Sequence, residues 1–230
     1  MANFGFQRLK VVSPFEPTWR EARSAVGAPE LLLDAVESAT LAEAVTGATL
    51  VIGTGTLTYR KAEQKVVSLP DLAPLVSREL ARGGRIAVVF GPEKHGLTRE
   101  DLSYCHLLVE IPTDAGQPSM NLGQAVAVCL YELASRCMAA DSAAIEKELK
   151  SCPDAKPSAA TSGGLELLAG VVEETMLAAG YSPHGMQEAN RHDLRLLLRR
   201  LNLAAHDMRR ILGLFHRILW WLRRAPAPPR

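Results

Sequence analysis

The chain has 230 residues, 47% of them hydrophobic, with 26 Lys and Arg against 25 Asp and Glu and a formal net charge of +1. That length holds one ordinary α/β domain plus a smaller appendage, with enough apolar residues for a sizeable core. No stretch approaches about 18 uninterrupted apolar residues, and "MANFGFQRLK" lacks the apolar run and cleavage site of a secretory signal, so the expected setting is the cytoplasm with no membrane partner.

In chain order, the short apolar runs "RLKVV" (8–12), "TLVIGTG" (49–55), "RIAVVF" (85–90) and "HLLVEIP" (106–112) read as strands, and "PDLAPLVSRELARGG" (70–84) reads as a helix between them. Strands alternating with helical patterns predict βαβ units and a parallel sheet covered by helices. In such sheets ligands bind beyond the carboxyl ends of the strands. Three loops leave those ends, "GTGTLTYRK" (53–61), "GPEKHGLT" (91–98) and "PTDAGQPSMN" (112–121).

"MNLGQAVAVCLYELASRCM" (120–138) is apolar nearly all round, so this helix needs cover on more than one side, and a dimer interface would supply the second. "SCPDAKPSAATSGG" (151–164), rich in Ser, Pro and Gly, reads as a linker. Residues 165–224 then form a helical extension, and 225–230 a disordered tail. Charge is uneven: residues 1–160 hold 16 basic and 19 acidic residues, whereas 161–230 hold 10 arginines, no lysine and 6 acids. A basic extension suggests a polyanionic partner. Ile211, Phe215, Ile218 and Leu222 share one apolar stripe, which Trp220 and Trp221 continue as packing residues; Arg191, Arg195 and Arg199 share another face.

The loops lack a P-loop pattern, and "GTGT" (53–56) lacks the third glycine of a dinucleotide fingerprint. Cys105, Cys129, Cys137 and Cys152 show no metal or disulfide spacing, and no metal is expected; Cys129 and Cys137 read as buried thiols. His184, His192, His206 and His216 lack carboxylates at useful spacing and read as surface or packing residues, while His95, on the second loop, is expected to touch the pocket. Gly91 and Gly96 allow close backbone approach to a ligand, Thr98 with Asp101 predicts a capping box, and Glu93 is directed into the cleft. Ser119 and Asn121 stand at the start of the apolar helix, where backbone N–H groups are free.

"VVFGPEKHGLT" followed by "EIPTDAGQPSMNLGQAVAVCLYEL" resembles the second and third motifs of the SpoU/TrmH family of RNA ribose 2′-O-methyltransferases, in the SPOUT superfamily. The helical tail, with "LRLLLRRL" and "DMRRILGLFHRI", is similar to the extension of the TrmJ-type tRNA methyltransferases. The resemblance implies an α/β domain over 1–150 with a parallel sheet and a trefoil knot in its C-terminal part, working as a homodimer. It implies S-adenosylmethionine held by Thr54, Gly55, Thr56, Gly91, Ile111, Ser119 and Met120, with Ile111 and Leu122 flanking the adenine. Glu93, Ser119 and Asn121 would shape the catalytic pocket.

The implied substrate is tRNA at anticodon-loop position 32, contacted by Arg60, Arg191, Arg195, Arg199 and Arg200, with Arg209 and Arg210 adding phosphate contacts. Ribosomal RNA methylation and a knotted RNA-binding protein without transfer are the alternatives. The family's first strand and the arginine of its first motif are expected to be missing ahead of Met1, which leaves either a start placed too far downstream or a chain that binds without transferring. The apolar sheet edge that a lost strand would expose favours the first explanation. Of Arg20, Arg23 and Arg60, Arg60 is the best substitute for that arginine because it sits on a cofactor-site loop, although gripping RNA phosphate suits it better.

Overall fold

Six short strands, all paired in parallel, form two sheets in the computed structural model, which describes residues 1–14, 19, 27–55, 62–139, 159–182 and 185–224. β1 (Lys10–Val12) pairs with β2 (Val36–Ser38), and β3 (Leu50–Thr54), β4 (Lys65–Ser68), β5 (Ile86–Val89) and β6 (Leu107–Glu110) follow the order β4-β6-β3-β5. β3 is central, with Ile52 facing Val88 on one side and Leu107 on the other. Its "LVIGT" is apolar on both faces, as a strand covered by helices on both sides requires.

One face packs Ile52 and Val109 with Leu72 and Val76 of α3 (Leu72–Ala81) and Cys129 and Leu133 of α5 (Leu122–Ala139). The other packs Val51, Cys105 and Leu108 with Val45 of α2 (Leu41–Val45), which follows α1 (Pro29–Leu33). The expected alternation of strands and helices is therefore present, and two strands the apolar runs did not reveal, β2 and β4, join it. Their three and four residues are too few to set a period. α4 (Arg99–Ser103) starts with the expected capping box, Thr98 accepting from Asp101 N–H while the Asp101 carboxylate accepts from Thr98 N–H.

Three further helices, α6 (Ser162–Ala178), α7 (Gln187–Leu201) and α8 (Ala205–Arg224), enclose their own core of Leu165, Leu168, Val172 and Leu198 with Ile211, Leu212 and Phe215 against it. The linker expected over 151–164 is corrected at its end. Ala160 is buried, Thr161 caps α6, and Ser162 N–H and Gly163 N–H donate to Ala48 O and Thr46 O at 2.7 and 3.0 Å. These bonds clamp α6 onto the sheet domain. Residues 151–158, Cys152 among them, and the tail 225–230 lie outside the described residues.

α5 buries Cys129, Leu130 and Leu133 and leaves Ala127, Val128 and Tyr131 exposed at helical spacing. Burial pushes the Cys105 thiol up to about 12 and the Cys129 thiol up to about 11, so both stay protonated and inert. His106 Nδ1 accepts from Val51 N–H at 3.1 Å, and burial, with Arg199 nearby, pushes this imidazole down to about 3. Since the folded pKa lies below the ordinary 6.5, the folded chain binds fewer protons than the unfolded one between those values. Denaturant titrations should show stability falling by about 1 kcal/mol per pH unit below pH 6.5, and His106→Asn should flatten that slope.

Candidate active site

The three loops converge on one cleft of about 260 Å³ at the carboxyl ends of β3, β5 and β6. Thr54, Gly55, Gly91, Glu93, Ile111, Ser119 and Met120 all line it, as do His95 and Leu122. Thr56 and Arg60 lie outside the described residues. Thr54 Oγ1 donates to Val89 O at 2.9 Å, which ties the exits of β3 and β5 together beneath the cleft.

The glycine bracket has a different reason from the expected ligand approach. A Cβ on Gly91 would stand 2.2 Å from Gly96 C and 2.3 Å from Leu97 N, so the loop folds back on its own backbone at Gly91. Gly96, at φ +64, makes that return in the left-handed region that glycine accepts without strain. The third loop is tightened in a similar way, with Asp114 Oδ1 accepting from Gly116 N–H at 2.8 Å.

Glu93 and Asn121 meet across the cleft mouth although 28 residues separate them. Asn121 Nδ2 donates to Glu93 Oε1 at 2.8 Å, and Leu122 N–H reaches the same oxygen at 3.4 Å. Asn121 Oδ1 in turn accepts from Gly123 N–H at 2.9 Å, so one side chain caps α5 and orients the acid. Both bonds use Oε1, which leaves Glu93 acceptor capacity for a further partner. Among the described residues the ionisable groups lining the cleft are Glu93, Lys94, His95 and Glu110.

The arginine face of α7 is where the structure departs most from the sequence reading. Arg191, Arg195 and Arg199 do share a face, but it is turned toward carboxylates. Arg199 is 3% exposed and bonds Glu166 Oε1 at 2.9 Å; Arg195 bonds Glu166 Oε2 at 3.0 Å and lies 4.4 Å over the Tyr104 ring. Both are corrected from RNA contacts to fasteners between α7, α6 and the sheet domain. Arg191 forms a forked pair with Glu173 and keeps an exposed edge, and Arg200 is exposed.

His192 is corrected as well, because it is buried with Nε2 at 2.7 Å from Glu63 Oε2, a carboxylate 129 residues away. Arg99 first, then His192, holds the Glu63 carboxyl below the usual range. The apolar stripe of α8 is shifted: Ile218 is on the open side and Leu219 is the buried residue, while Trp220 and Trp221 are exposed instead of packed. The acids Glu63 and Glu166 were not singled out from sequence, since nothing local marks a carboxylate as the partner of a distant helix.

A parallel α/β sheet with its cleft built from the loops after β3, β5 and β6, and a helical unit fastened to its side, is the architecture of a ligand-binding enzyme domain with an accessory module. Residues 1–131 match the SpoU rRNA Methylase family, and the chain belongs to that family. The tRNA (cytidine-2′-O-)-methyltransferase TrmJ of Methanocaldococcus jannaschii is 39% identical over 136 residues, which is 58% of this chain and 58% of that protein. The tRNA (cytidine/uridine/adenosine-2′-O-)-methyltransferase TrmJ of Pseudomonas aeruginosa is 32% identical over 183 residues, covering 79% of this chain and 71% of that one. The crystal structure of TrmJ from Z. mobilis ZM4 shares the fold, with a TM-score of 0.74 over 95% of this chain and 89% of that one at 24% identity. Among the described residues no helix is long and apolar enough to cross a membrane.

Proposed function

We propose that the chain is an S-adenosylmethionine-dependent methyltransferase that modifies a ribose 2′-hydroxyl of tRNA, with anticodon-loop nucleotide 32 as the acceptor, in the cytoplasm. The observation that carries the reading is the Glu93–Asn121 pair at the mouth of a cleft built from the loops after three parallel strands. The names of the TrmJ relatives support tRNA over ribosomal RNA.

The lining fits the cofactor. Apolar Ile111, Met120 and Leu122 suit an adenine, loop backbone groups supply hydrogen bonds, and Glu93 and Glu110 suit a cation. The cofactor's chemistry is a transferable methyl group on a positively charged sulfonium. The chain's own part is to position: Asn121 holds the Glu93 carboxylate at one point, and a positioned acceptor lowers the cost of a hydroxyl losing its proton. Arg191 and Arg200 are proposed to contribute phosphate contacts, and Arg60 to grip RNA phosphate. β6 lies between β3 and β4, which are consecutive in the chain, and that strand order supports a trefoil knot. The exposed Ala127, Val128 and Tyr131 face supports a homodimer through α5.

Labelled cofactor and unmodified tRNA test the reading, with label retained on RNA as the expected result. A second reading, RNA binding without transfer, is favoured by one observation: no arginine lines the cleft among the described residues. It predicts cofactor and tRNA binding with no label transferred. Asn121→Ala should cut kcat/KM about 100-fold through misplacement of Glu93 and weaken the cap by about 1 kcal/mol. Asn121→Asp keeps the cap but sets two carboxylates face to face in place of the hydrogen bond, so a parallel kinetic and thermal assay should show the cap's stability recovered only in part and the rate not at all.

A further inference from the structure

We propose that the open face of α8 carrying Arg210, Arg217, Trp220, Trp221 and Arg224 binds unpaired nucleotides of RNA, by base stacking on Trp221 and phosphate contact with the arginines. This inference rests on the tRNA reading above and names a surface of the helical unit, none of whose residues lines the cleft, that contacts the RNA.

α8 packs the half-buried Ile211 and Phe215 against the core of the helical unit and buries Leu219, and its other side is open: Trp221 is 60% exposed, Leu214 58% and Trp220 38%. Exposed tryptophan on a helix that already has a packed face is costly unless something uses it. At 100° per residue, Arg217 and Arg224 fall between the two tryptophans and nearly opposite the buried side, and Arg210, Arg217 and Arg224 recur every seven residues along that line. The Arg217 guanidinium lies 4.5 Å from the Trp220 centroid and Arg224 lies 3.9 Å from it, while the two indoles meet edge to face at 5.5 Å. Stacking on an indole fixes a guanidinium yet leaves its N–H edges available to phosphate.

Charge selects the partner. From 200 to 224 there are six arginines and one acid, Asp207. Among the described residues only Arg223 of these six has a carboxylate partner, Glu174 at 2.8 Å. A helix that lies on a lipid surface keeps its cations along the borders of the apolar strip. Here they stand inside it, over the rings, so sinking the strip into acyl chains would bury them. A polyanion with exposed π-faces satisfies both features together, and a strand of unstacked nucleotides has that chemistry.

The test uses the full chain and fluorescein-labelled unmodified tRNA, followed by anisotropy over a salt series, with intrinsic tryptophan emission recorded in parallel. Trp221→Ala should weaken binding about tenfold and remove most of the quenching that tRNA causes, and Trp221→Phe should restore much of the affinity. Arg217→Ala with Arg224→Ala should flatten the log–log salt slope by about 1.5. Since these side chains are exposed, circular dichroism should match the parent chain. Parent binding with unaltered affinity and quenching in the variants overturns this surface alone. Absence of tRNA binding by the parent overturns the tRNA reading with it. Binding to anionic phosphatidylserine vesicles in preference to RNA, or a dimer that Trp221→Ala dissociates in sedimentation, overturns the proposal in favour of a lipid or a second copy.

Discussion

Gly91→Ala is expected to lower methyl transfer and cofactor affinity by at least about 100-fold, with a loss of about 2 kcal/mol in stability. The added methyl would sit 2.2 Å from Gly96 C, 2.3 Å from Leu97 N and 2.7 Å from Gly96 O. All three are backbone atoms, so no side-chain rotation relieves the overlap and the loop must open. Opening it moves Glu93 and Gly96 together, and with them the wall facing Ser119 and Met120. Gly55 gives the contrast, because a Cβ there meets no atom within 4 Å. Gly55→Ala should leave the fold unaltered, and any fall in cofactor affinity, read by calorimetry, would report contact with the ligand itself.

Glu166→Ala is expected to destabilise the chain most, by roughly 3 kcal/mol, with Tm falling by about 10 °C. Its carboxylate serves two guanidinium groups at once, Arg195 and Arg199, and the Arg199 side chain is 1% exposed. Without the acid, Arg199 keeps only Ser162 Oγ at 3.4 Å and the Arg195 carbonyl at 3.2 Å, so a buried charge is left unpaired. Removal of the charge instead of its partner should cost much less. Arg199→Met fills the same space with an apolar chain and leaves Glu166 bonded to Arg195 at 3.0 Å. A calorimetric scan in which Arg199→Met is more damaging than Glu166→Ala would show that Arg199 matters for something other than this pairing.

The same residues show where a sequence stops being readable. Features decided within four residues of each other were legible: the Thr98–Asp101 box, the apolar runs of β3 and β6, and the glycine-marked turn at 91–96. The loops of the cleft were legible for a related reason, since strand polarity alone puts them at one end of the sheet. Helical spacing placed Arg191, Arg195 and Arg199 on one face, but a period says nothing about which way a face is turned. That depends on Glu166, about 30 residues earlier, and on Tyr104 and Glu100 near α4. Trp220 and Trp221 misled for the converse reason. Apolar residues adjacent to a stripe suggest packing, yet α8 has room for one buried face, and Leu219 holds that place. Glu93 and Asn121 each stood out locally, and only the fold made them a pair.

The most direct test of the central claim is nuclease digestion and mass spectrometry of unmodified tRNA after incubation with the purified chain and S-adenosylmethionine. The expected product is a single 2′-O-methylated nucleoside recovered from the anticodon-loop fragment and lost with Asn121→Ala. Methylation on a base, or cofactor bound by calorimetry with no methylated ribose in any fragment, would contradict the assignment of ribose transfer to this cleft.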